Sequence, residues 1–417
     1  AIEFAKMLDG KVDLIHVSAT SFRDVNSGCR MFPSAFLPHG VNVYLAEAIK
    51  KHVKTPIATV GSLSDPAEME DIIASGKADV IYVGRQILAD PEFPNKAKAG
   101  RFDEVRPCVR CNHCLSLDFV PYVDMCSGIS QCVVNPEVGR DLKEGMYQPK
   151  PLPKKVLVIG GGPGGMQAAL KAEEQGHEVI LIEKADRLGG MLNVAVHDVS
   201  FKEDLGKYMQ YLIRMVERKA IQVRLNTTAT PELIQEIAPD TVVCAVGAEP
   251  IIPRIPGVDR ENVVKVTQLR DPGLEFGEKV VVIGGGLVGC EEGLALAMEG
   301  KDVTVLEMQE KLAPDAPILH LKAMMLEYEK RTENLHPYTE VTVTSIEDDG
   351  VHAKDKDGKE VIYPADTVLL SVGMRSKIDE VEKLRTNDAE FITVGDCIKP
   401  GKILQAVSGG YFAGKNA

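Results

Sequence analysis

Two glycine-rich loops, each set between an apolar strand and a helix, constrain this chain more than any other feature. The first, Gly160-Gly-Gly-Pro-Gly-Gly165, follows the apolar run Val156 to Ile159, opens a helix over Met166 to Gln175, and leads to a strand, Glu178 to Ile182, that ends at Glu183. Gly160 allows the tight turn, Gly162 lets backbone N–H groups approach a pyrophosphate at the helix N-terminus, and Gly165 permits close contact of helix and strand, with Gly164 in the same loop. Glu183 can accept hydrogen bonds from a ribose diol. The second loop repeats the arrangement, with Gly284, Gly286 and Gly289 after Val280 to Ile283 and with Glu307 ending Val303 to Leu306. A bare GxGxxG is a weak signal, but two of them with strand, helix and acidic residue in place predict two dinucleotide-binding units. Glu307 would repel a 2'-phosphate and no basic residue follows it before Lys311, which favours NADH over NADPH at the second loop.

The 417 residues exceed the length at which single cores stop growing, so two or three domains are expected. A net charge of -13 without a basic cluster argues against a nucleic-acid partner, whose phosphates call for grouped Lys and Arg. No apolar run approaches the ~20 residues of a membrane span and no charged-then-apolar leader opens the chain, so a cytoplasmic, non-membrane protein is expected. Upstream of the first loop lie three β/α units, with strands at Asp13 to Ser18, Pro56 to Val60 and Asp79 to Val83 and helices near Asn42 to His52, Pro66 to Ser75 and Pro94 to Ala99. Three units do not close a sheet, and Ala1 to Leu8 reads as the last turns of a helix already under way. The expectation is therefore a fragment that lacks the first five units of a (β/α)8 barrel. In this reading residues 1–102 are barrel strands six to eight, 103–153 a cofactor loop and linker, 154–276 and 373–417 the first dinucleotide domain, and 277–372 the second.

Five of the nine cysteines, Cys108, Cys111, Cys114, Cys126 and Cys132, crowd into 25 residues, which suits metal ligation in a reducing compartment better than a disulfide framework. Cys29, Cys244, Cys290 and Cys397 read as packing or loop residues. In Cys108-Val-Arg-Cys111-Asn-His-Cys114 the spacing lets three thiolates wrap one cluster, with Cys132 as fourth ligand, and this looks like a [4Fe-4S] site. Structural zinc is the rival, although its usual second Cys-x-x-Cys knuckle is absent. Cys126 is the rival for the fourth position, and His113 reads as a solvent-side residue.

The tandem loops, the strands Thr241 to Gly247 and Thr367 to Gly373, and Thr393-Val-Gly-Asp396 resemble the two-dinucleotide-domain flavoproteins of the disulfide-reductase-like superfamily. That resemblance implies FAD at the first loop, with Glu183, Lys184, Gly190, Gly247, Gly395 and Asp396 completing its site, and NADH at the second. No Cys-x-x-Cys pair follows the first loop, so disulfide reduction is not expected. With the Arg-Pro-Cys-x-x-Cys-x-x-Cys loop and the segments Phe36 to Gly40, Val43 to Lys50 and Ala78 to Pro91, the whole chain resembles the iron-sulfur flavoenzymes of the old yellow enzyme class. This group includes 2-enoate reductase, 2,4-dienoyl-CoA reductase and trimethylamine dehydrogenase, and the 2-enoate reductase-like branch has the nearest texture.

The resemblance implies FMN at the barrel mouth, its phosphate held by Gly61, Ser62, Gly84 and Arg85. Glycines after barrel strands expose N–H groups, and Arg85 supplies a cation. His39 is expected to shape the loop after the sixth strand, and His16 to be a satisfied barrel histidine. Catalytic residues are left unassigned, because the family's substrate-orienting groups come from the missing strands. The implied activity is a relay from NADH through FAD, the cluster and FMN to a conjugated carbonyl compound, in a homo-oligomer. The alternatives are an amine dehydrogenase of the trimethylamine type that donates to an electron-transfer flavoprotein, and an electron-feeding module for a separate barrel protein.

Overall fold

The computed structural model describes residues 1–20, 25–115, 131–140, 151–385 and 388–417. It divides into two compact units: Ala1–Pro149 with Ser200–Arg218 and Pro317–Ala323, and Lys150–Val199 with Lys219–Ala316 and Met324–Ala417. Among the described residues no helix is long and apolar enough to cross a membrane.

In the first unit the three expected strands form one parallel sheet, Ile15–Val17, Ile57–Thr59 and Val80–Ile81, in that order. Ile57, Ala58 and Thr59 are fully buried, as a central parallel strand covered on both faces must be. The helix Val43–Lys50 lays Ala46 and Ile49 on Ile57 and Val17. The helix Pro66–Ala74 starts where its sequence dictates, since Asp65 caps it by accepting the Ala67 N–H at 2.8 Å and Pro66 occupies the first turn. His16, expected inside a barrel, is exposed and stacks on Tyr82 with ring centroids 4.4 Å apart. The unit also takes in the helix Glu203–Glu217, which buries Tyr208, Tyr211, Leu212 and Val216. Sequence reading had placed residues 200–218 within the first dinucleotide domain. An amphipathic helix pattern says that one face is covered, not by what.

The second unit holds two five-stranded parallel sheets. The first runs Glu390–Thr393, Thr241–Cys244, Lys155–Ile159, Glu178–Ile182, Ile221–Arg224, and the second Leu335–Tyr338, Asp302–Leu306, Lys279–Ile283, Thr367–Leu370, Val263–Lys265. Val263–Lys265 hydrogen-bonds to Thr367–Leu370, so this strand belongs to the second sheet although residues up to 276 were expected in the first domain. A three-residue strand carries too little periodicity to reveal its sheet. The C-terminal segment does return to the first sheet, because Glu390–Thr393 pairs in parallel with Thr241–Cys244.

That return is sealed by backbone contact. The helix Ile403–Asn416 lies so close to Pro163–Gln175 that a Cβ on Gly410 would sit 2.1 Å from the Gly164 carbonyl oxygen, and one on Gly414 2.3 Å from that of Ala168. Neighbouring Gly409 would make only ordinary contact, 3.4 Å from Val394. Gly410→Ala is therefore expected to cost about 2 kcal/mol or more in thermal unfolding, as over-packing does. Gly409→Ala should be neutral or stabilising through helix propensity. Equal melting temperatures for the two variants would refute the close-contact account.

Candidate functional site

Both glycine loops have the same construction. Lys155–Ile159 runs into Gly160, at φ +106°, and Lys279–Ile283 into Gly284, at φ +108°, a region that side chains avoid. A Cβ on Gly165 would lie 1.9 Å from the Gly160 oxygen and one on Gly289 1.9 Å from that of Gly284, so each third glycine is fixed by the turn itself. The middle glycines differ, for a Cβ on Gly286 would meet nothing within 4 Å and one on Gly162 only Gly190 Cα at 4.0 Å. The turn does not need glycine there; the free space lies at the N-terminus of Pro163–Gln175 and of Leu287–Met298, where a pyrophosphate would approach. These cradles fit dinucleotides.

The acidic residues repeat as well. Buried Glu183 accepts the Gly161 N–H at 2.6 Å and the Ala185 N–H at 2.8 Å, while Glu307 accepts from Gly285 at 2.7 Å and Gln309 at 2.7 Å. An ionised carboxylate has about four lone-pair sites, so each keeps acceptor capacity for a ribose. Around the first loop, Gly190 folds against Gly162, whereas Lys184 is exposed. Gly247 and Gly395 both take positive φ at strand ends. Asp396 accepts the Gly401 N–H at 2.9 Å, and burial raises its carboxyl above the ordinary range.

In the first unit Cys108, Cys111, Cys114 and Cys132 line one cavity, with Arg85, Val109, Asn112, Val133 and Val134. Cys126 lies outside the described residues, as do residues 116–130 and 141–150 of the expected loop and linker. The short helix Arg85–Ala89 gathers the two cysteine segments. Gln86 accepts the Cys108 N–H at 2.9 Å and donates to the Arg106 carbonyl at 2.8 Å, Asn135 donates to the Leu88 carbonyl at 2.8 Å, and Arg85 donates to Asn112 Oδ1. Burial pushes all four thiols up, Cys114 to about 12, with the Arg85 guanidinium pulling Cys108 the other way. Metal binding must displace those protons.

The spacing of the thiols bears on the metal. Zinc at ~2.3 Å from each sulfur would hold its ligand sulfurs within roughly 4 Å of one another. Among the described residues, the only group of three or more metal-capable side chains with donor atoms within 4.8 Å of one another is Glu347, Asp349 and His352, at the turn of the hairpin formed by Thr342–Glu347 and Gly350–Lys354. Cys108, Cys111, Cys114 and Cys132 form no such group, so their sulfurs are spread more loosely than a single zinc would hold them.

Of the four residues expected at an FMN phosphate, the structure joins two directly: Arg85 donates to Ser62 Oγ at 2.5 Å. Gly61 is buried at φ +153°, where a Cβ would make ordinary contact with Asn42 at 3.4 Å, and Gly84 is exposed just before Arg85. Arg85 thus bonds both the loop of Ser62 and the cysteine loop.

Sequence reading missed a buried network beside them. Arg110, between two of the cysteines, donates through Nε to Asp204 Oδ2 at 2.5 Å and through Nη1 to the Leu37 and Ser34 carbonyls. His39 Nε2 meets Asp204 Oδ1 at 2.9 Å, and its Nδ1 meets the Ser62 carbonyl at 2.6 Å. Burial raises the Asp204 carboxyl, but the His39 hydrogen bond and the Arg110 charge outweigh it and hold the group below its ordinary range. The only signal in the sequence was an arginine inside a cysteine loop; its partner lies 94 residues away.

The pyridine nucleotide-disulphide oxidoreductase family profile matches residues 154–406, and the NADH:flavin oxidoreductase / NADH oxidase profile residues 2–104. An NADH oxidase of Thermoanaerobacter brockii is 39% identical over 98% of this chain and 62% of its own length. A cinnamate reductase of Clostridium sporogenes is 34% identical over 92% and 56%. The solved structure of a 2-naphthoyl-CoA reductase in complex with 2-naphthoyl-CoA superposes with TM-score 0.91 at 31% identity, covering 100% of this chain and 62% of that one. The chain therefore spans about three-fifths of the length of these relatives.

The free space at Gly286 gives a direct check. Gly286→Ala should leave the melting temperature nearly unchanged and weaken NADH binding by about 1–3 kcal/mol, roughly 5- to 150-fold in Kd. Gly289→Ala, with its methyl driven into the Gly284 oxygen, should instead unfold the nucleotide unit. Unaltered NADH affinity in Gly286→Ala, measured by titration calorimetry, would remove the second loop as the site.

Proposed function

The chain belongs to the pyridine nucleotide-disulphide oxidoreductase family and, with its NADH:flavin oxidoreductase segment, to the 2-enoate reductase-like flavoenzymes, and from this we propose that it carries the electron-input part of an NADH-dependent ene-reductase. In this reading, reducing equivalents run from NADH by way of FAD, a [4Fe-4S] cluster and FMN to the conjugated C=C bond of an enoate, enoyl-CoA thioester or enone. The observation that carries the reading is the cavity lined by Cys108, Cys111, Cys114 and Cys132 in a chain that also holds two dinucleotide cradles. The relatives support the acceptor class, since cinnamate and 2-naphthoyl-CoA both place unsaturation next to a carboxyl or thioester carbonyl.

When bound, the flavins supply hydride and single-electron chemistry and the cluster single-electron chemistry alone. The chain's own residues bind and orient. The N–H groups around Gly162 and Gly286 would take the two pyrophosphates, and Glu183 and Glu307 the riboses. Gly395 and Asp396 would fix the flavin side chain at the first loop, with Gly190, Gly247 and Lys184 around it. Cys108, Cys111, Cys114 and Cys132 would ligate the cluster, and Gly61, Ser62, Gly84 and Arg85 would hold the FMN phosphate, Arg85 by charge-assisted hydrogen bonds.

Anaerobic mixing of the flavin-loaded protein with NADH is expected to bleach the flavin absorbance. Cys132→Ser should lower iron per chain sharply while that bleaching survives, because hydride entry does not require the cluster. Flavin that stays oxidised under excess NADH would sink the reductase reading. Among enoates, enoyl-CoA thioesters and enone steroids offered as oxidants, the one that restores flavin colour defines the acceptor.

A further inference from the structure

Cys111 sits between two residues in an unusual backbone state. Arg110 has φ +49° and Asn112 φ +59°, both in the left-handed region that non-glycine residues enter at a cost. Such conformations persist where the surroundings enforce them. Both side chains are almost fully buried and held at their polar ends, Asn112 by Arg85 and by donation to the Phe32 carbonyl at 2.9 Å, Arg110 by Asp204 and two carbonyls. Of these anchors only Asp204 carries a charge opposite to that of the residue it holds.

Asp204 is 3% exposed on its side chain, and its two oxygens are divided between Arg110 and His39. His39 is bonded in turn to the Ser62 carbonyl. We propose that Asp204 is a positioning residue for the iron-sulfur site: it clamps Arg110 and so fixes the Cys108 to Cys111 backbone at the separation the cluster needs, while His39 ties the clamp to the loop of Ser62. This rests on the cluster reading of the four cysteines and adds to it a residue supplied by the distant helix Glu203–Glu217. Outer groups of this kind orient the ligands of a metal site without touching the metal.

The test uses the full chain isolated anaerobically with its cluster. Asp204→Asn keeps the size of the side chain and removes the charge, Arg110→Met breaks the clamp from the other side, and Glu203→Gln, at an exposed neighbour, serves as reference. Both clamp variants are expected to release iron to a ferrous chelator about tenfold faster than wild type, with a changed electron paramagnetic resonance spectrum of the dithionite-reduced cluster and unchanged FAD content. The double variant should be no worse than either single one, because both remove the same clamp. Asp204→Glu should recover most of the wild-type retention. Should Asp204→Asn fail to fold, Arg110→Met and Asp204→Glu carry the same comparison. Wild-type release and spectrum in the single variants, or multiplied effects in the double, would overturn the clamp alone. Wild-type protein without iron overturns the cluster reading and the clamp together.

Discussion

In the first unit one buried carboxylate, that of Asp204, ties together segments far apart in sequence. Asp204 faces Arg110 and His39 at once, and through them the cysteine loop, the segment Ser34 to His39 and the loop of Ser62 meet at one point. Removing one partner of a buried pair leaves the other charge without compensation, at about 3–5 kcal/mol, whereas a pair of apolar residues in its place is often harmless. An ion pair is therefore a poor means of stability alone. What it supplies here is orientation, because a guanidinium fork bonded to a carboxylate and two carbonyls has few other poses.

The second unit orients its loops chiefly by shape, with one buried carboxylate bonded to each. Its two loops are held by contacts in which a Cβ would collide with a carbonyl oxygen, so glycine is required by shape at Gly165 and Gly289 and by backbone angle at Gly160 and Gly284. The middle glycines alone leave room that the protein does not fill. The two loops then diverge in their surroundings. The first is closed from behind by Ile403–Asn416, with Gly410 against the Gly164 oxygen, so the C-terminal segment that carries Gly395 and Asp396 is brought to it. Here a sequence-distant segment reaches the loop through strand pairing and helix packing together.

This contrast explains what could be read beforehand. The loops were legible because strand, turn, helix and acidic residue lie within about thirty residues and each has a local physical reason. The cysteines stood out because they crowd into a short stretch, and Cys108, Cys111, Cys114 and Cys132 line one cavity that Arg85 also lines. Asp204 was not, since an acidic residue in the first turn of an amphipathic helix is what any solvated helix start displays. Nor was the sheet of Val263–Lys265, whose three residues obtain their identity from Thr367–Leu370, about a hundred positions on. Helix Glu203–Glu217 escaped similarly, its apolar stripe being visible and the surface it covers not.

Ser62 shows why such long-range pieces matter for chemistry. Its hydroxyl accepts from Arg85, which also donates to Asn112 in the cysteine loop, and its carbonyl faces His39, which reaches Arg110 through Asp204. Two separate chains of hydrogen bonds thus connect one residue of the expected phosphate loop to the two residues that flank Cys111. Arg85 gives one Nη to Ser62 and the other to Asn112, and its guanidinium has five N–H groups, so it can hold both loops and still donate elsewhere. The fold brings the Ser62 loop and the cysteine loop within reach of one arginine, and that proximity, rather than either motif taken singly, is what the sequence leaves unsaid.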